Sequence, residues 1–283
     1  MKTIGASKIA ALIDHSPYVT RWQLWQWAAN DIPLPSPTHA RAAEGVLLEP
    51  FILQTAADER GWELRPNSER CFRSDDETRI SATPDGFIRS TEKSGTGVVD
   101  AKLVNVFRFW DSWGREEPSV PLHIELQIQW QMEITGCDWG AIVVYVMGGD
   151  ETHVFYRDRD DEVIETLDDA AKEFWSSVDE MREPDPFGEP KEIPTLAIRY
   201  PSVLQTETVD LGVEDETAEA MARFKHAREQ ETFWKKQKES QKAVLLGVAA
   251  ENQSTVCSSL DGRRFNLTVK KTATAAGIYE RKA

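Results

Sequence analysis

The chain has 283 residues, 40% of them hydrophobic, and a formal net charge of −15. This length predicts one large domain, or a domain with an appended piece, and a sizeable core. No apolar run approaches the roughly 18–20 residues that cross a bilayer, and the first residues lack a signal-peptide core, which predicts a cytoplasmic protein and excludes a membrane protein. The three cysteines and five histidines show neither the spacing of metal ligands nor that of a disulfide framework.

The charge is unevenly distributed along the chain. Residues 151–185 hold 13 Asp and Glu against four Lys and Arg, whereas residues 223–242 hold seven Lys and Arg against three Glu. Residues 263–282 hold six basic residues against one acidic residue. Two interpretations remain open. These stretches are ordinary solvated helix faces, or the acidic stretch faces away from a polyanion and the basic ones face toward it.

Apolar periodicity and turn residues predict the elements of the first two thirds of the chain. In chain order they are helices at 7–13, 22–29 and 39–60, strands at 79–89 and 96–104, a helix at 122–135, a hairpin of strands 139–147 and 152–157, and an acidic amphipathic helix at 162–181. Gly61 and Gly136 follow two of these helices, at positions where glycine commonly ends a helix.

The last hundred residues have a different character. Five prolines between residues 184 and 201 predict a linker or a strap across the surface. A long charged helix is predicted from 214 to about 247, followed by a terminal hairpin that turns at Asp261-Gly262. The sequence therefore predicts a core at 1–183, a linker or strap at 184–201 and a C-terminal extension at 202–283.

An acidic residue, a spacer and a lysine occur together three times, ending at Lys102, Lys191 and Lys282. The second triplet lies among prolines and the third lies at the tail, so only Asp100-Ala101-Lys102 belongs to a β-branched strand. Because side chains alternate along a strand, Asp100 and Lys102 point to the same face. A buried ion pair and a metal site both satisfy this arrangement.

Asp85 supplies a second carboxylate from the neighbouring predicted strand. Pro84 and Gly86 interrupt strand pairing around it and leave its oxygens free to turn toward an ion. Two carboxylates and an amine on adjacent strands favour a site for a hard divalent cation and a water nucleophile, the chemistry that hydrolyses phosphodiesters. Glu49 interrupts an apolar stretch of the helix predicted at 39–60. We expect it to contact this cluster, and the alternative is an ordinary exposed helix glutamate.

Three glutamines, Gln127, Gln129 and Gln131, alternate with apolar residues in the helix predicted at 122–135. Residues two apart on an α-helix point about 200° apart, so the three do not share one face. We expect one or two of them near the site, holding the attacking water or a phosphate oxygen.

Together these residues resemble the YqaJ-type viral recombinases, relatives of bacteriophage lambda exonuclease within the PD-(D/E)XK nuclease superfamily. The resemblance covers roughly residues 4–147, and its segments occur in the order that the family has. The matching segments are Gly5-Ala6-Ser7-Lys8-Ile9-Ala10, Ser16-Pro17-Tyr18, Gly45 through Pro50, Pro84-Asp85-Gly86, Asp100-Ala101-Lys102 and Gln127 through Met132.

The resemblance implies a restriction-endonuclease-like fold of the α/β (α+β) class. A central mixed sheet is flanked by helices, and a helical C-terminal extension ends in a small hairpin. The implied activity is 5′→3′ digestion of one strand of linear double-stranded DNA, with one or two Mg²⁺ or Mn²⁺ ions, to leave 3′ overhangs. A trimeric ring, a single-strand annealing protein as partner, and a phage or prophage origin in a bacterial host are implied as well.

The resemblance also assigns roles around the metal. The residues implied as metal ligands or catalytic groups are Asp85, Asp100, Ala101 through its carbonyl, Lys102, Glu49 and Gln129. Lys102 positions and activates the water in this scheme, while Glu49 and Gln129 support the second ion or its waters.

A second implied set of residues contacts DNA. Ser7 matches a serine that contacts the 5′-phosphate in the family, and Gln127 is counted with it. The arginine that the family has ahead of this serine has no counterpart here. Lys8, Arg21 and Arg41 are alternatives for that contact, and the sequence leaves the choice open.

Two other functions compete with this one. A structure-specific or restriction-like endonuclease would use the same metal site, and closed circular DNA distinguishes it because only an endonuclease nicks a circle. A catalytically silent module that binds DNA ends is the third alternative. The presence of Asp85, Asp100 and Lys102 together argues against it.

Overall fold

The computed structural model describes residues 2–35, 40–69, 71–72, 79–114, 118–149, 151–186, 188–201, 216–252, 256–260, 263–269 and 276–281. The side chains of residues 40–42 and 72, and those from residue 249 onward, lie outside this description. The chain divides into two compact units, Met1–Val203 and Leu204–Ala283.

The first unit alternates helices and strands. Its described elements are, in chain order, β1 (Ile4–Gly5), a 3₁₀ helix (Ala6–Ile13), α1 (Arg21–Asn30), α2 (Ala40–Arg60), β2 (Glu63–Pro66), β3 (Cys71–Phe72), β4 (Ile80–Ala82), β5 (Gly86–Arg89), β6 (Gly97–Asn105), α3 (Val106–Ser112), α4 (Leu122–Thr135), β7 (Trp139–Met147), β8 (Glu151–Asp158), α5 (Asp161–Asp179), a 3₁₀ turn (Pro190–Glu192) and α6 (Ile193–Arg199). Apart from the strand predicted at 79–89, each element predicted up to residue 181 has a counterpart whose ends differ from the prediction by no more than two residues.

Five strands form the central sheet in the order β2-β5-β6-β7-β8. β6 and β7 are parallel and the other neighbouring pairs are antiparallel, so the sheet is mixed. The connection between the parallel strands runs through α3 and α4, as a parallel pair requires a crossover. α2 and α4 contact the sheet. This arrangement confirms the predicted fold class.

Alternation along β6 divides its side chains between two cores. Val98 belongs to the core that includes residues of α4, whereas Val99 belongs to the core that includes residues of α2. Successive residues of a strand point to opposite faces. Asp100 and Lys102 therefore share the α4 side of the sheet with Val98.

The strand predicted at 79–89 is two strands in two different sheets. β4 pairs with β1 and β3 in a small three-stranded sheet, whereas β5 pairs with β2 and β6 in the central sheet. Pro84 lies between them, and a proline has no N–H to donate to a ladder. The break leaves Asp85 in a bend directly before β5.

The proline-rich segment at 184–201 lies against the start of α1. The buried side chain of Gln23 donates to the Lys191 carbonyl at 2.8 Å. The Glu192 carboxylate, fully buried, accepts from the Thr20 hydroxyl at 2.7 Å. Lys191 Nζ donates to the Ser16 carbonyl at 2.8 Å. The segment thus holds the turn between the 3₁₀ helix and α1.

The second unit contains α7 (Glu216–Asn252) and the strands β9 (Val256–Leu260), β10 (Arg263–Val269) and β11 (Ala276–Arg281). β9 and β10 are the antiparallel pair predicted from the sequence, whose turn at Asp261-Gly262 lies outside the described residues. β11 pairs with β10 as a third strand that the sequence did not predict. Among the described helices of both units, none has the length and apolar character needed to cross a membrane.

Candidate active site

The pairing of β5 with β6 brings Asp85 next to the Asp100 triplet. Gly86 pairs with Val99, so the residue before β5 lies beside the residue that follows Val99. Asp85 Oδ2 accepts a hydrogen bond of 2.7 Å from the Ala101 N–H. A Cβ on Gly86 would lie only 3.1 Å from Val99 Cγ1, so this close approach favours glycine.

Asp100 is the centre of a hydrogen-bond network, although its side chain is buried. Its Oδ1 accepts from Gln127 Nε2 at 2.7 Å and from Gln131 Nε2 at 2.9 Å. Its Oδ2 forms an ion pair with Lys102 Nζ. Lys102 is thus the cation that compensates this buried oxygen.

Lys102 remains charged at this site. Its Nζ donates to Gln127 Oε1 at 3.3 Å, and a quarter of its side chain is exposed. Burial lowers the pKa of Lys102, but the carboxylates of Asp100 and Asp85 more than offset it, and the net shift of the pKa is upward. The ammonium therefore contributes a fixed positive charge at the edge of the network.

Glu49 of α2 reaches Asp85 from the other side. The two carboxyl groups are close enough for each to influence the pKa of the other. Burial, followed by the charge of Asp100, raises the pKa of Glu49. The same two causes, in the same order, raise the pKa of Asp85 to about 8. Three carboxylates thus compete for one ammonium, and the site has an excess of negative charge.

The donor set of this cluster fits a hard divalent cation. Within the described residues, no three His, Cys, Asp or Glu side chains are arranged as a ready metal site. The hydrogen bonds and the ion pair with Lys102 hold the carboxylates in their present arrangement. Yet the oxygens of Glu49, Asp85 and Asp100 are the ligand type that Mg²⁺ and Mn²⁺ prefer, and the raised pKa values of Glu49 and Asp85 reflect carboxyl groups that are buried together with too little positive charge.

The glutamines of α4 divide between two faces, and the expectation for Gln129 is corrected. Gln127 and Gln131, four residues apart, both bind Asp100. Gln129 donates to the Asp158 carbonyl at 2.9 Å and accepts from the Asp160 N–H at 2.9 Å, so it braces the turn between β8 and α5. The reason is the helical rotation of about 200° between residues two apart.

A cavity of about 230 Å³ adjoins this network on the side of the 3₁₀ helix. The lining residues that carry polar groups include Ser7, Lys8, Ser81, Thr83, Gln127 and Gln131. Three residues predicted to contact DNA, Ser7, Lys8 and Gln127, therefore share one cavity with a glutamine that binds Asp100.

The other two candidate phosphate contacts are not brought to this cavity by the described structure. Arg21 Nη2 donates to Glu173 Oε1 of α5 at 3.0 Å, an ion pair between α1 and α5. Arg41 lies in the first turn of α2, and its side chain lies outside the described residues. Of the two alternatives whose side chains are described, Lys8 lines the cavity.

Three residues near the site were not predicted from the sequence. The sequence did not decide whether Gln131 reaches the site, although its spacing of four residues from Gln127 places both on one helix face. Tyr18 and His123 pack edge to face with ring centroids 5.5 Å apart, and Tyr18 contributes to the field at Lys102. Burial and then the positive charge of Lys102 lower the pKa of His123. The spacing of four between His123 and Gln127 was the available signal.

Comparison with known proteins gives a family match over the first 138 residues and solved structures with a similar fold. Residues 1–138 match the family model of the YqaJ-like viral recombinase domain. LHK-Exo, an alkaline exonuclease from Laribacter hongkongensis, aligns with a TM-score of 0.51 and 17% identity over 71% of this chain and 95% of that chain. Its complex with dAMP aligns with a TM-score of 0.51 and 18% identity over 70% and 92%. At these low identities, the structural alignments show a shared fold. None of the curated proteins matches this chain.

Proposed function

We propose that this chain is a metal-dependent DNA exonuclease, because residues 1–138 match the family model of the YqaJ-like viral recombinase domain, as the sequence motifs predict. It digests one strand of linear double-stranded DNA in the 5′→3′ direction and leaves a 3′ overhang for single-strand annealing. The fold shared with LHK-Exo, which is described as an alkaline exonuclease, supports the proposal.

The observation that carries the proposal is the contact of Asp85, Asp100 and Lys102 beside a polar cavity. Asp100 supplies a carboxylate for a metal ion, and Lys102 supplies an ammonium that orients the attacking water. The two side chains form an ion pair. The cavity lined by Ser7 and Lys8 is large enough to hold a phosphate group at a strand end. An end pocket beside the cutting site favours an exonuclease over an endonuclease.

In this proposal Asp85, Asp100 and Glu49, with the Ala101 carbonyl, hold one or two Mg²⁺ or Mn²⁺ ions. When bound, such ions lower the pKa of a coordinated water and stabilise the charge on the leaving oxygen. Lys102 orients the attacking water with its ammonium. Gln127 and Gln131 fix the carboxylate of Asp100 through two hydrogen bonds, so that its other oxygen keeps one direction. Preorganised groups of this kind need no rearrangement during the reaction.

Digestion of end-labelled DNA tests the proposal. Linear duplexes labelled at either end, with 5′-phosphate or 5′-hydroxyl termini, are digested in Mg²⁺ beside closed circular DNA. We expect release of nucleotides from 5′ ends, faster with a 5′-phosphate, and an intact circle. Asp100→Ala abolishes digestion, whereas Asp138→Ala, on an exposed residue of the loop before β7, is the matched control.

Two outcomes contradict the proposal. Nicking of the closed circle assigns the site to an endonuclease. Digestion that persists in Asp100→Ala, or that needs no divalent cation, removes the carboxylate cluster from the reaction.

We also propose the assembly and setting that the family implies. The chain forms a homo-oligomer, a trimeric ring, that encloses the duplex and cooperates with a single-strand annealing protein in the cytoplasm of a bacterial host. Sedimentation at several protein concentrations tests the assembly, and a monomer under conditions of processive digestion contradicts it.

A further inference from the structure

α7 carries an arrangement of residues that the nuclease site does not use. The helix has 37 residues, which corresponds to a length of about 55 Å. Its large apolar side chains are exposed: 66% of Phe224, 49% of Phe233 and 63% of Trp234. Exposed aromatic residues on one element indicate a surface that binds a partner.

Basic residues surround these aromatic rings. Between residues 223 and 242 the chain has seven Lys and Arg against three Glu, within a chain of net charge −15. Arg223 pairs with Glu219 and Lys242 pairs with Glu239. Among the described residues, no ion pair is formed by the other five, which are Lys225, Arg228, Lys235, Lys236 and Lys238; Glu229 and Glu231 lie one helical turn from Lys225 and Lys235.

A shallow, open groove along α7 combines the two residue types. It is lined by Phe224, Phe233, Lys225, Arg228, Lys236, Glu229 and Thr232. Phe233 also packs edge to face with Trp234, with ring centroids 5.2 Å apart.

The sequence of α7 argues against packing with a second α7. A coiled coil needs apolar residues that repeat at seven-residue spacing. Every such register between residues 221 and 248 contains a charged, amide or other polar side chain. One register reads Met221, Arg228, Lys235 and Lys242. Two copies of this positive stretch would also repel each other.

The acidic surface of α5 in a second copy fits less well than a nucleic acid. It would neutralise the lysines, but its exposed side chains are mainly Asp and Glu and offer no apolar surface to Phe224, Phe233 and Trp234. A single-stranded nucleic acid supplies both phosphates and the flat faces of unpaired bases. In a duplex those faces are stacked and do not reach a side chain.

We propose that α7 binds single-stranded DNA, with Phe224 and Phe233 stacking on bases and Lys225, Arg228 and Lys236 contacting phosphates. This inference rests on the proposed nuclease function for the identity of the strand: α7 holds the strand that digestion leaves uncut. The ligand is bound by stacking and charge, so its sequence matters little.

Binding of the full chain to fluorescein-labelled oligothymidylate, followed by anisotropy in EDTA, tests the proposal without strand cleavage. Phe224→Ala combined with Phe233→Ala weakens binding at least about 25-fold, because each lost stacking contact removes about fivefold or more of the affinity. Val244→Ala, an exposed apolar residue on the same helix, is the matched control and leaves the dissociation constant unchanged.

Salt titration provides a second measurement. Replacing Lys225, Arg228 and Lys236 by Gln lowers the slope of log affinity against log salt by about 2, since each phosphate contact on a single strand contributes about 0.7. Arg182→Gln, an exposed arginine of the first unit, is the charge control and keeps the wild-type slope.

Unchanged affinity in the double aromatic variant overturns the proposal. A change in sedimentation of that variant in the absence of DNA also overturns it, because α7 would then be a contact between copies. Since binding is measured in EDTA, failure of α7 is distinct from failure of the nuclease function. A protein that digests duplex ends but ignores oligothymidylate contradicts only the inference about α7.

Discussion

The first unit buries polar groups, whereas α7 exposes apolar ones. Asp100, Gln131 and Glu192 are enclosed in the first unit, while Phe224 and Trp234 are exposed on the second. A buried polar group is tolerated where hydrogen bonds or ion pairs satisfy it, so its partners constrain the site closely. An exposed aromatic ring is instead free to gain a contact from outside the chain. The comparison therefore separates a preorganised chemical site from a surface that binds a partner.

The largest expected effect is at the buried network. Lys102→Gln removes the ammonium that faces three carboxylates, and we expect the kcat for digestion to fall about 10²- to 10³-fold, since charges aimed at the reacting group contribute that much. The dissociation constant for duplex DNA changes little. Lys93→Gln, at a surface ion pair with Asp158, is the control and keeps the wild-type kcat. Equal losses of kcat in both variants would show that the ion pair with Asp100 has no special role.

The two faces of α4 provide the next contrast. Gln131→Leu removes a hydrogen bond to Asp100, and we expect kcat to fall about tenfold or more while the stability changes modestly. Gln129→Leu leaves two backbone groups at the β8–α5 turn without their partner, which costs about 1–3 kcal/mol of unfolding free energy and preserves kcat. Steady-state kinetics and urea unfolding of both variants measure the difference. A loss of kcat in Gln129→Leu larger than that in Gln131→Leu contradicts the assignment of the two faces.

The protonation of Asp85 predicts a pH dependence of stability in EDTA. The folded pKa of about 8 lies above the unfolded value of about 3.9, so the folded state binds the proton more tightly. The contribution of Asp85 to stability is therefore fully present below about pH 4 and is lost as the pH rises through about 8. Because asparagine does not titrate, Asp85→Asn does not lose this stability as the pH rises. Thermal unfolding of both proteins between pH 5 and 9 measures it, and parallel curves would contradict the raised pKa.

A substitution in the segment 184–201, which contacts the start of α1, tests how much a buried polar group contributes to stability. Glu192→Ala removes the acceptor of the Thr20 hydroxyl, and we expect the free energy of unfolding to fall by about 1–3 kcal/mol. Glu180→Ala, at an exposed carboxylate, serves as the control in the same urea titration. If the two variants unfold at the same urea concentration, residues 184–201 behave as a linker.

The smallest effect belongs to the exposed aromatic residues. Phe224→Ser changes the free energy of unfolding by less than about 0.5 kcal/mol, since surface substitutions away from packed groups usually do. Differential scanning calorimetry of the variant beside the wild type measures this. A clearly larger destabilisation would mean that the ring is covered in solution, and the contrast between the units would no longer hold.

Periodicity and local rules determined much of this protein from its sequence. The helix predicted at 122–135 matches α4, because apolar spacing and a terminal glycine are local signals. The strand that holds Asp100 and Lys102 was recognised for the same reason. The prediction that Asp85 lies beside them followed from the strand predicted at 79–89, which comes directly before the strand predicted at 96–104.

Tertiary structure decided what depends on contacts between distant segments. The sequence could not show that β4 and β5 belong to different sheets, because pairing partners are not encoded in one strand alone. Nor could it choose between Gln129 and Gln131. Helical rotation separates their faces, but only the packing of α4 on β6 selects the face that binds Asp100. The sequence by itself therefore determined which residues can do chemistry. The packing of helices on the sheet decided which of them meet, since burial and charge act between residues far apart in the chain.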